Sequence, residues 1–168
     1  PATPPDDGEP TESSPAALPV EVFKSAERGE LEKVVKWLGK GDPADTTCSS
    51  PVPGSHLSSH GLLHAATGNG QLEMVKMLLK RGATVDLRTN LGFTALMSAA
   101  GGGHRSILLV LLQHSADLDL QDIFGATALM AAAGAGQGAC VQALLRAKAN
   151  TELLDNDSDT ALKHAKRQ

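Results

Sequence analysis

The sequence predicts an all-α solenoid, a stack of helical repeats joined by short hairpin connections. The first observation is a fixed period, since four leucines follow one another at steps of 33 residues: Leu63, Leu96, Leu129 and Leu162. The second is that a leucine pair (78–79, 111–112, 144–145) and a glycine (70, 103, 136) recur at the same step. The third is that aromatic residues make up only 2% of the chain, so Leu, Ala and Val fill the core. This composition favours many similar helix contacts along a stack.

One unit shows how each repeat is built. The Thr94 hydroxyl can cap the start of a first helix, Ala95–Ala100, whose apolar residues share one face. Gly103 ends that helix, because glycine adopts positive φ without a Cβ penalty. A second helix follows over Ser106–Gln113, and the polar segment Ser115–Asp122 forms a hairpin before the next unit. A single helix pair cannot bury its apolar side, so neighbouring pairs must stack.

Two stretches carry a family resemblance. Residues 92–104 read Gly-Phe-Thr-Ala-Leu-Met-Ser-Ala-Ala-Gly-Gly-Gly-His, and residues 125–136 read Gly-Ala-Thr-Ala-Leu-Met-Ala-Ala-Ala-Gly-Ala-Gly. Both resemble the ankyrin repeat, whose consensus is roughly G-x-T-P-L-H-x-A-A-x-x-G-H followed by V-x-x-L-L-x-x-G-A. The resemblance covers residues 20–168. It implies a curved stack of helix pairs whose concave face and hairpin tips bind partner proteins.

The resemblance also divides the chain. We expect residues 1–19, which are acidic and contain six of the nine prolines, to be a disordered linker. Residues 20–168 are expected to form the ankyrin repeat domain. Its parts are a capping repeat, three full repeats and a partial repeat, numbered first to fifth: 20–45, 57–88, 90–121, 123–154 and 156–168. Gly29 and Gly70 are 41 residues apart, so the segment 46–60, rich in Ser, Pro and Gly, is expected to be an insertion loop.

Several positions depart from the ankyrin pattern. Alanine replaces the usual proline at 95, 128 and 161, and methionine replaces the histidine at 97 and 130. These changes remove a rigid helix start and a hydrogen-bond network between turns. Additional glycines at 101, 102, 134 and 138 cost about 0.5–1 kcal/mol each wherever they fall inside a helix. We therefore expect modest local stability in the third and fourth repeats.

Charge and cysteine content exclude several classes of function. The net charge of −4 comes from four acidic residues near the start: Asp6, Asp7, Glu9 and Glu12. Residues 20–168 are therefore neutral, and the lack of a basic stripe argues against nucleic-acid binding.

Cys48 and Cys140 lie far apart, which indicates no disulfide framework and favours an intracellular location, cytoplasmic or nuclear. The longest aliphatic run, 107–112, is too short for membrane insertion. With no Met start and no leader pattern, we expect a piece of a longer protein.

A candidate zinc site consists of one cysteine and three histidines: Cys48, His56, His60 and His64. Such sets can bind zinc, but two observations favour a structural role. His64 occupies the histidine position of the ankyrin motif, which the family uses to organise a turn. Two intervening prolines also prevent a continuous helix from joining Cys48 to the histidines. We therefore expect no metal and no other cofactor.

A row of acidic residues recurs at the hairpins: Asp86, Asp119 and Glu152. These residues could serve as acid and base, but a solvated hairpin row shifts pKa values little, so we expect no catalytic residues and no enzyme. The ankyrin resemblance adds one hypothesis. Hairpins of the family are substrates for an asparaginyl hydroxylase at this position, and the resemblance makes Asp86 and Asp119 candidate hydroxylation sites.

Partner-binding residues follow from the same resemblance. The hairpin tips are Arg88, Asn90, Leu91 and Phe93 where the second repeat meets the third, Gln121, Ile123, Phe124 and Ala126 where the third meets the fourth, and then Leu154 at the end of the fourth. The groove positions on the first helices are Ser98, Gly101, Gly102, Ala131 and Ala135. The tips carry apolar mass, which often marks contacts, although such side chains can also fold back onto neighbouring hairpins. The small groove residues leave room for an extended segment or a helix.

These observations predict a protein-interaction scaffold that binds a partner protein or peptide, and we expect it to be monomeric. An alternative is the regulatory ankyrin part of a larger enzyme or channel whose active domain lies outside residues 1–168. The flanking sequence would distinguish the two.

Overall fold

The computed structural model of the protein describes residues 18–39, 41, 43–47 and 61–167. Within these residues the chain forms nine α-helices and no sheet. In chain order they are α1 (Val20–Arg28), α2 (Leu31–Leu38), α3 (Leu62–Gly68), α4 (Leu72–Lys80), α5 (Ala95–Gly101), α6 (Arg105–Gln113), α7 (Ala128–Gly134), α8 (Gly138–Arg146) and α9 (Ala161–Ala165). The two helices predicted for the third repeat are confirmed to within one residue.

The helices stack in two layers. The inner layer is α1, α3, α5, α7 and α9, each packed against the next, while α4, α6 and α8 follow one another in the outer layer. The inner helices α1, α3, α5 and α7 also contact the outer helices that follow them, as α7 contacts α8. The predicted all-α repeat solenoid is therefore confirmed.

Local sequence explains where the inner helices begin and end. Thr94 Oγ1 accepts a hydrogen bond from Met97 N at 3.3 Å, and Thr127 Oγ1 accepts one from Met130 N at 3.3 Å. Each cap satisfies an N–H that the helix leaves unpaired and contributes about 1 kcal/mol. Gly103 follows α5 with a φ of 72°, as predicted. The inner helices α5 and α7 thus start at threonine without the proline of the family pattern.

The leucine period lies at the centre of the core. Leu63, Leu96 and Leu129 are 1%, 1% and 2% exposed. Leu162 holds the same position in the fifth repeat and is 64% exposed. The stack therefore buries this leucine in the second, third and fourth repeats and leaves it open at the C-terminal end.

Side chains at the heads of three outer helices connect successive repeats. Gln71 Nε2 donates to Glu27 O at 3.0 Å, and Gln137 Nε2 donates to Gly101 O at 3.4 Å. Between them, His104 Nε2 lies 3.3 Å from Gly68 O. Each side chain thus contacts a carbonyl at the end of the inner helix of the preceding repeat, where backbone acceptors lack helical partners. Sequence reasoning did not identify these contacts.

Two expectations about the chain need correction. Leu18 is 2% exposed and its N–H donates to Thr47 O at 3.3 Å, so the packed domain includes Leu18, which falls inside the predicted linker 1–19. Residues 1–17 lie outside the described part of the chain. In the expected insertion loop, Thr47 forms an isolated antiparallel bridge with Gly61, and 48–60 lie outside the described residues.

The second correction concerns the additional glycines. Gly101 and Gly134 are the last residues of α5 and α7, Gly138 is the first residue of α8, and Gly102 caps α5. A glycine at a helix end fixes less helical backbone than one in the interior, so the assumed interior cost does not apply. These residues therefore give no reason to expect weak inner helices.

Candidate functional site: the groove and tips of the third and fourth repeats

The hairpin tips are tight turns closed by side-chain acceptors. In the fourth repeat, Asp122 N donates to Ala126 O at 3.0 Å. Asp122 Oδ1 accepts from Phe124 N at 2.8 Å and from Ala126 N at 2.9 Å. Thr89 and Asp155, 33 residues before and after Asp122, close the neighbouring turns in the same way. Because the Asp122 side chain is buried, its carboxylate fixes the turn and is not available to a partner.

Successive tips are bonded to each other through the backbone. Ile123 N donates to Leu91 O at 3.0 Å, and Asn156 N donates to Phe124 O at 2.9 Å. Gly125 permits the second contact, since a Cβ there would lie 2.8 Å from Asp155 Cα and 2.9 Å from Asn156 N. Its φ of 78° also favours glycine. The three tips therefore form one continuous row.

Three large apolar side chains project from this row. Ile123, Phe124 and Leu154 are 52%, 55% and 51% exposed, and we call them the tip surface. They are neighbours, because Asn156 Nδ2 donates to Ile123 O at 3.0 Å and Gln121 Nε2 donates to Leu154 O at 2.8 Å. Hydrogen bonds between the tips pair the backbone groups next to these residues, and their side chains remain in solvent.

A groove of about 290 Å³ lies beside the tips, between α5 and α7. Its lining is mostly small or apolar: Phe93, Met97, Ser98, Gly101, Asp122, Ala126, Thr127 and Ala131. Asp122 is the only charged residue of that lining, and its carboxylate is bonded within the turn. The groove therefore suits an apolar occupant better than a charged one.

The structure brings together only some of the predicted binding residues. Phe93, Ser98, Gly101 and Ala131 line the groove, while the exposed Gly102 and Ala135 are not part of its lining.

Two predicted tip residues are less available than expected. Leu91 and Phe93 are half-buried, and Phe93 packs against the hydrophobic core. The carbonyl of Phe93 also lies 3.1 Å from His64 Nε2. For Phe93, the structure therefore favours the alternative in which the tip side chain folds back, whereas Phe124 projects.

The polar tip residues mainly connect repeats. Asn90 and Arg88 are exposed, but Arg88 Nη2 donates to Gln121 O at 2.6 Å. Gln121 in turn donates to Gly125 O at 2.6 Å, in addition to its bond with Leu154. Sequence reasoning assigned Arg88 and Gln121 to a partner, whereas here their donors bond adjacent hairpins.

Three groove residues were missed by the sequence prediction: Met97, Asp122 and Thr127. Asp122 had a detectable signal, because Thr89, Asp122 and Asp155 follow the same 33-residue step with side chains that cap turns. Met97 had been treated only as a departure from the family histidine.

The acidic hairpin row is not simply solvated. The Asp86 carboxylate accepts from Asp117 N at 3.1 and 3.2 Å, and Asp119 Oδ1 accepts from Asn150 N at 2.8 Å. The carboxylates of Asp86 and Asp119 therefore bond the backbone of the next repeat. Hydroxylation of Asp86 and Asp119 stays a prediction, which an added oxygen atom in the mass of cell-derived protein would test.

The candidate zinc ligands are not brought together in the described residues. Cys48, His56 and His60 lie outside them, and His64 is buried against the Phe93 carbonyl. Cys140 is a buried free thiol, and burial raises its pKa, so it behaves as a core residue.

A different cluster lies at the C-terminal end, where ligand atoms of Asp155, Asp159 and His164 lie within 4.8 Å of one another. Asp159 is fully buried and forms ion pairs with Lys163 and, at 2.5 Å, with Arg167. His164 Nε2 lies 2.7 Å from Asp155 Oδ2. The backbone N–H of Asp159, followed by His164, holds the pKa of Asp155 below its usual value. Two cations already compensate Asp159, so the cluster is an ion-pair network.

Comparison with known proteins agrees with this architecture. A family model described as ankyrin repeats, in three copies, matches residues 22–122 and 111–168. No curated protein matches the chain closely enough to serve as a relative. Within the described residues, no helix has the length and apolar character to cross a membrane. Ankyrin repeats are generally protein–protein interaction modules and are typically not enzymes. The period, the two helical layers and the family match together show that this chain belongs to the ankyrin repeat family.

Proposed function

We propose that the third and fourth repeats bind a partner protein through the tip surface and the groove between α5 and α7. The observation that carries the proposal is the exposure of Ile123, Phe124 and Leu154, each about half in solvent. Apolar patches of this kind mark contact sites, and aromatic residues often dominate the binding energy. Hydrogen bonds fix the backbone of Ile123 and Phe124, so little backbone entropy is lost there on binding.

The groove indicates what the partner presents. Ser98, Gly101 and Ala131 leave its floor without long side chains, and no charge of the lining is free for a salt bridge. An apolar side chain of the partner can therefore enter the groove while the chain beside it contacts Phe124. Either an extended segment or a helix satisfies this requirement.

The test is capture of partners from native extract by the wild type and by Ile123→Ser and Phe124→Ser. Both positions are more than half exposed, so we expect the free energy of unfolding to fall by only about 1 kcal/mol or less. If a partner binds through the tip surface, each variant should recover about tenfold less of it than the wild type does, or still less.

Leu162→Ser is the matched control, because Leu162 is also a large apolar residue that is more than half exposed but lies on α9, away from the tips. We expect it to recover the same protein as the wild type. Recovery that is unchanged in both tip variants, with unchanged stability, would reject this assignment.

A further inference from the structure

The tip of the fourth repeat, residues 122–126, uses all five of its backbone N–H groups within the protein. Three of them donate to Asp122, at its carboxylate or its carbonyl, with N···O distances of 2.8, 2.9 and 3.0 Å. The N–H of Asp122 itself donates to Ala126 O, and that of Ile123 donates to Leu91 O, both at 3.0 Å. Each donor of this tip therefore already has its acceptor.

The five carbonyl groups of the same tip each accept a hydrogen bond as well. Asn156 supplies two of the donors, its Nδ2 and its N, and Gln121 Nε2 supplies a third. The N–H groups of Gly125 and Asp122 supply the other two, within the turn. Leu154 O, in the neighbouring hairpin, accepts from Gln121 Nε2 at 2.8 Å. The backbone beneath the exposed side chains of the tip surface is therefore paired inside the protein.

This pairing bears on the kind of chain that can cover the tip surface. An extended segment arrives with its own N–H and C=O groups unpaired, and extended chains are commonly held by backbone hydrogen bonds to their host. The tip offers apolar side chains in place of such bonds, and backbone groups that lose water without gaining a partner weaken binding. A helix pairs its backbone internally, so it can lay an apolar face against Ile123, Phe124 and Leu154 without that loss. The paired tip therefore favours a helix.

Two exposed charges of opposite sign lie at the two ends of the row of tips. Arg88 lies beside the first tip, since its Nη2 is 2.8 Å from the place a Cβ of Gly92 would take. Asp157 follows Phe124 by 33 residues and so holds the same position in the last tip. Both side chains are exposed, and neither forms an ion pair with another residue of the described ranges. Arg88 donates from Nη2 to Gln121 O, and a guanidinium has five N–H groups, so it can also bind a carboxylate.

The spacing of these charges sets the length of a matching helix. Arg88 and Asp157 belong to tips two repeat steps apart, and packed helices lie about 8–10 Å from each other, so roughly 20 Å separate the two charges. A helix rises about 1.5 Å per residue, so about 13 residues span this distance. A helix of about four turns therefore reaches both charges. Complementary charge then requires an acidic residue at its Arg88 end and a basic residue at its Asp157 end.

We propose that the tip surface binds the apolar face of an amphipathic helix of the partner protein, which carries an acidic residue facing Arg88 and a basic residue facing Asp157. One apolar side chain of this helix enters the groove between α5 and α7. The inference rests on the proposed function, in which these tips bind a partner, and adds the structure and the charges that the partner presents.

The probes are two displayed libraries of peptides of about 18 residues, long enough for a helix to form alone. One library has an alanine-rich background, with apolar residues varied at helical spacing and Glu, Lys or Ser varied in the first and last turns. The other varies the same positions and has prolines in its central part, which prevent a helix. Selection on the immobilised full chain should enrich peptides of the helical library, with Glu near one end and Lys near the other. A proline placed in the centre of an enriched peptide should weaken its binding at least tenfold.

Three variants of the protein locate the bound peptide. Phe124→Ser should weaken the enriched peptides at least tenfold, because it removes the aromatic side chain of the tip surface. Asp157→Lys should weaken them at least threefold, since it replaces an attraction between exposed charges by a repulsion. Glu73→Lys is the matched control, because it makes the same change of charge at an exposed residue of α4, away from the tips, and should leave binding unchanged.

The outcomes separate this inference from the proposed function. Peptides of the proline library that bind through Phe124 as tightly as the helical ones would overturn the helix and leave the proposed function standing. Equal effects of Asp157→Lys and Glu73→Lys would overturn the assignment of charges. If neither library yields a peptide whose binding depends on Phe124, the inference and the proposed function both fail. Concentration-dependent dimers that are lost in Phe124→Ser would also overturn the inference, since a second copy would then occupy the tip surface.

Discussion

Two substitutions at the same position of the repeat measure how much the stack contributes to stability. Leu129→Ala removes a side chain that is 2% exposed and lies between the helices of the fourth repeat. Loss of its burial, together with the cavity left behind, should lower the free energy of unfolding by roughly 2–5 kcal/mol. Leu162→Ala removes the same groups from a leucine that is 64% exposed. Only about a third of that side chain is buried, so the expected loss is about 1 kcal/mol or less.

Urea denaturation followed by far-UV circular dichroism provides the comparison. We expect a large fall in the urea midpoint for Leu129→Ala and a small one for Leu162→Ala, each with an m-value close to that of the wild type. Similar losses at the two positions would refute the reasoning, because they would mean that both leucines are equally buried. A larger loss at Leu162 would refute it more strongly.

Three further predictions concern single side chains. Asp122→Ala should lower the free energy of unfolding by about 1–3 kcal/mol, since two N–H groups lose their acceptor. Asp122→Asn keeps an acceptor oxygen and should lower the free energy of unfolding less. The urea midpoints of the two variants measure the difference. The pKa of Asp155 in the folded protein lies below its usual value, so its contribution to stability is complete above about pH 4 and is lost as pH falls through the folded pKa. Between about pH 5 and pH 2, the urea midpoint should therefore fall less steeply in Asp155→Asn than in the wild type. Cys140 is buried with a raised pKa, so alkylation mapped by mass spectrometry should be slow in native protein and fast in urea, and fast native labelling would contradict this.

The sequence was sufficient for the features that depend on periodicity and local chemistry. The 33-residue step located the buried leucines, and Thr94 and Gly103 marked the limits of α5 because capping and positive φ are properties of single residues. Helix bounds in the third repeat were predicted to within one residue for the same reason.

Features that depend on the distance between repeats could not be predicted in this way. Phe93 and Phe124 are two residues out of register, and only packing shows that the first is half-buried and the second projects. The acceptors for Arg88 and Gln121 are carbonyls 33 residues further along, at Gln121 and Leu154. A sequence pattern gives the residue types at these hairpin positions. It does not give the distance between neighbouring hairpins, which decides which groups can bond.

The candidate site was therefore predicted in part. The groove residues Ser98, Gly101 and Ala131 followed from helical position, since small residues at these positions of α5 and α7 line the groove. The role of Asp122 required knowledge of the turn, because its side chain bonds the backbone of Phe124 and Ala126.

Hydrogen exchange of the complex with a captured partner tests the central claim most directly. We predict that partner binding slows amide exchange at the tips, residues 122–126 and 154–156, and along α5 and α7, and leaves α4 and α6 unchanged. Slower exchange confined to the outer helices, with the tips exchanging as in the free protein, would contradict the assignment of the binding surface.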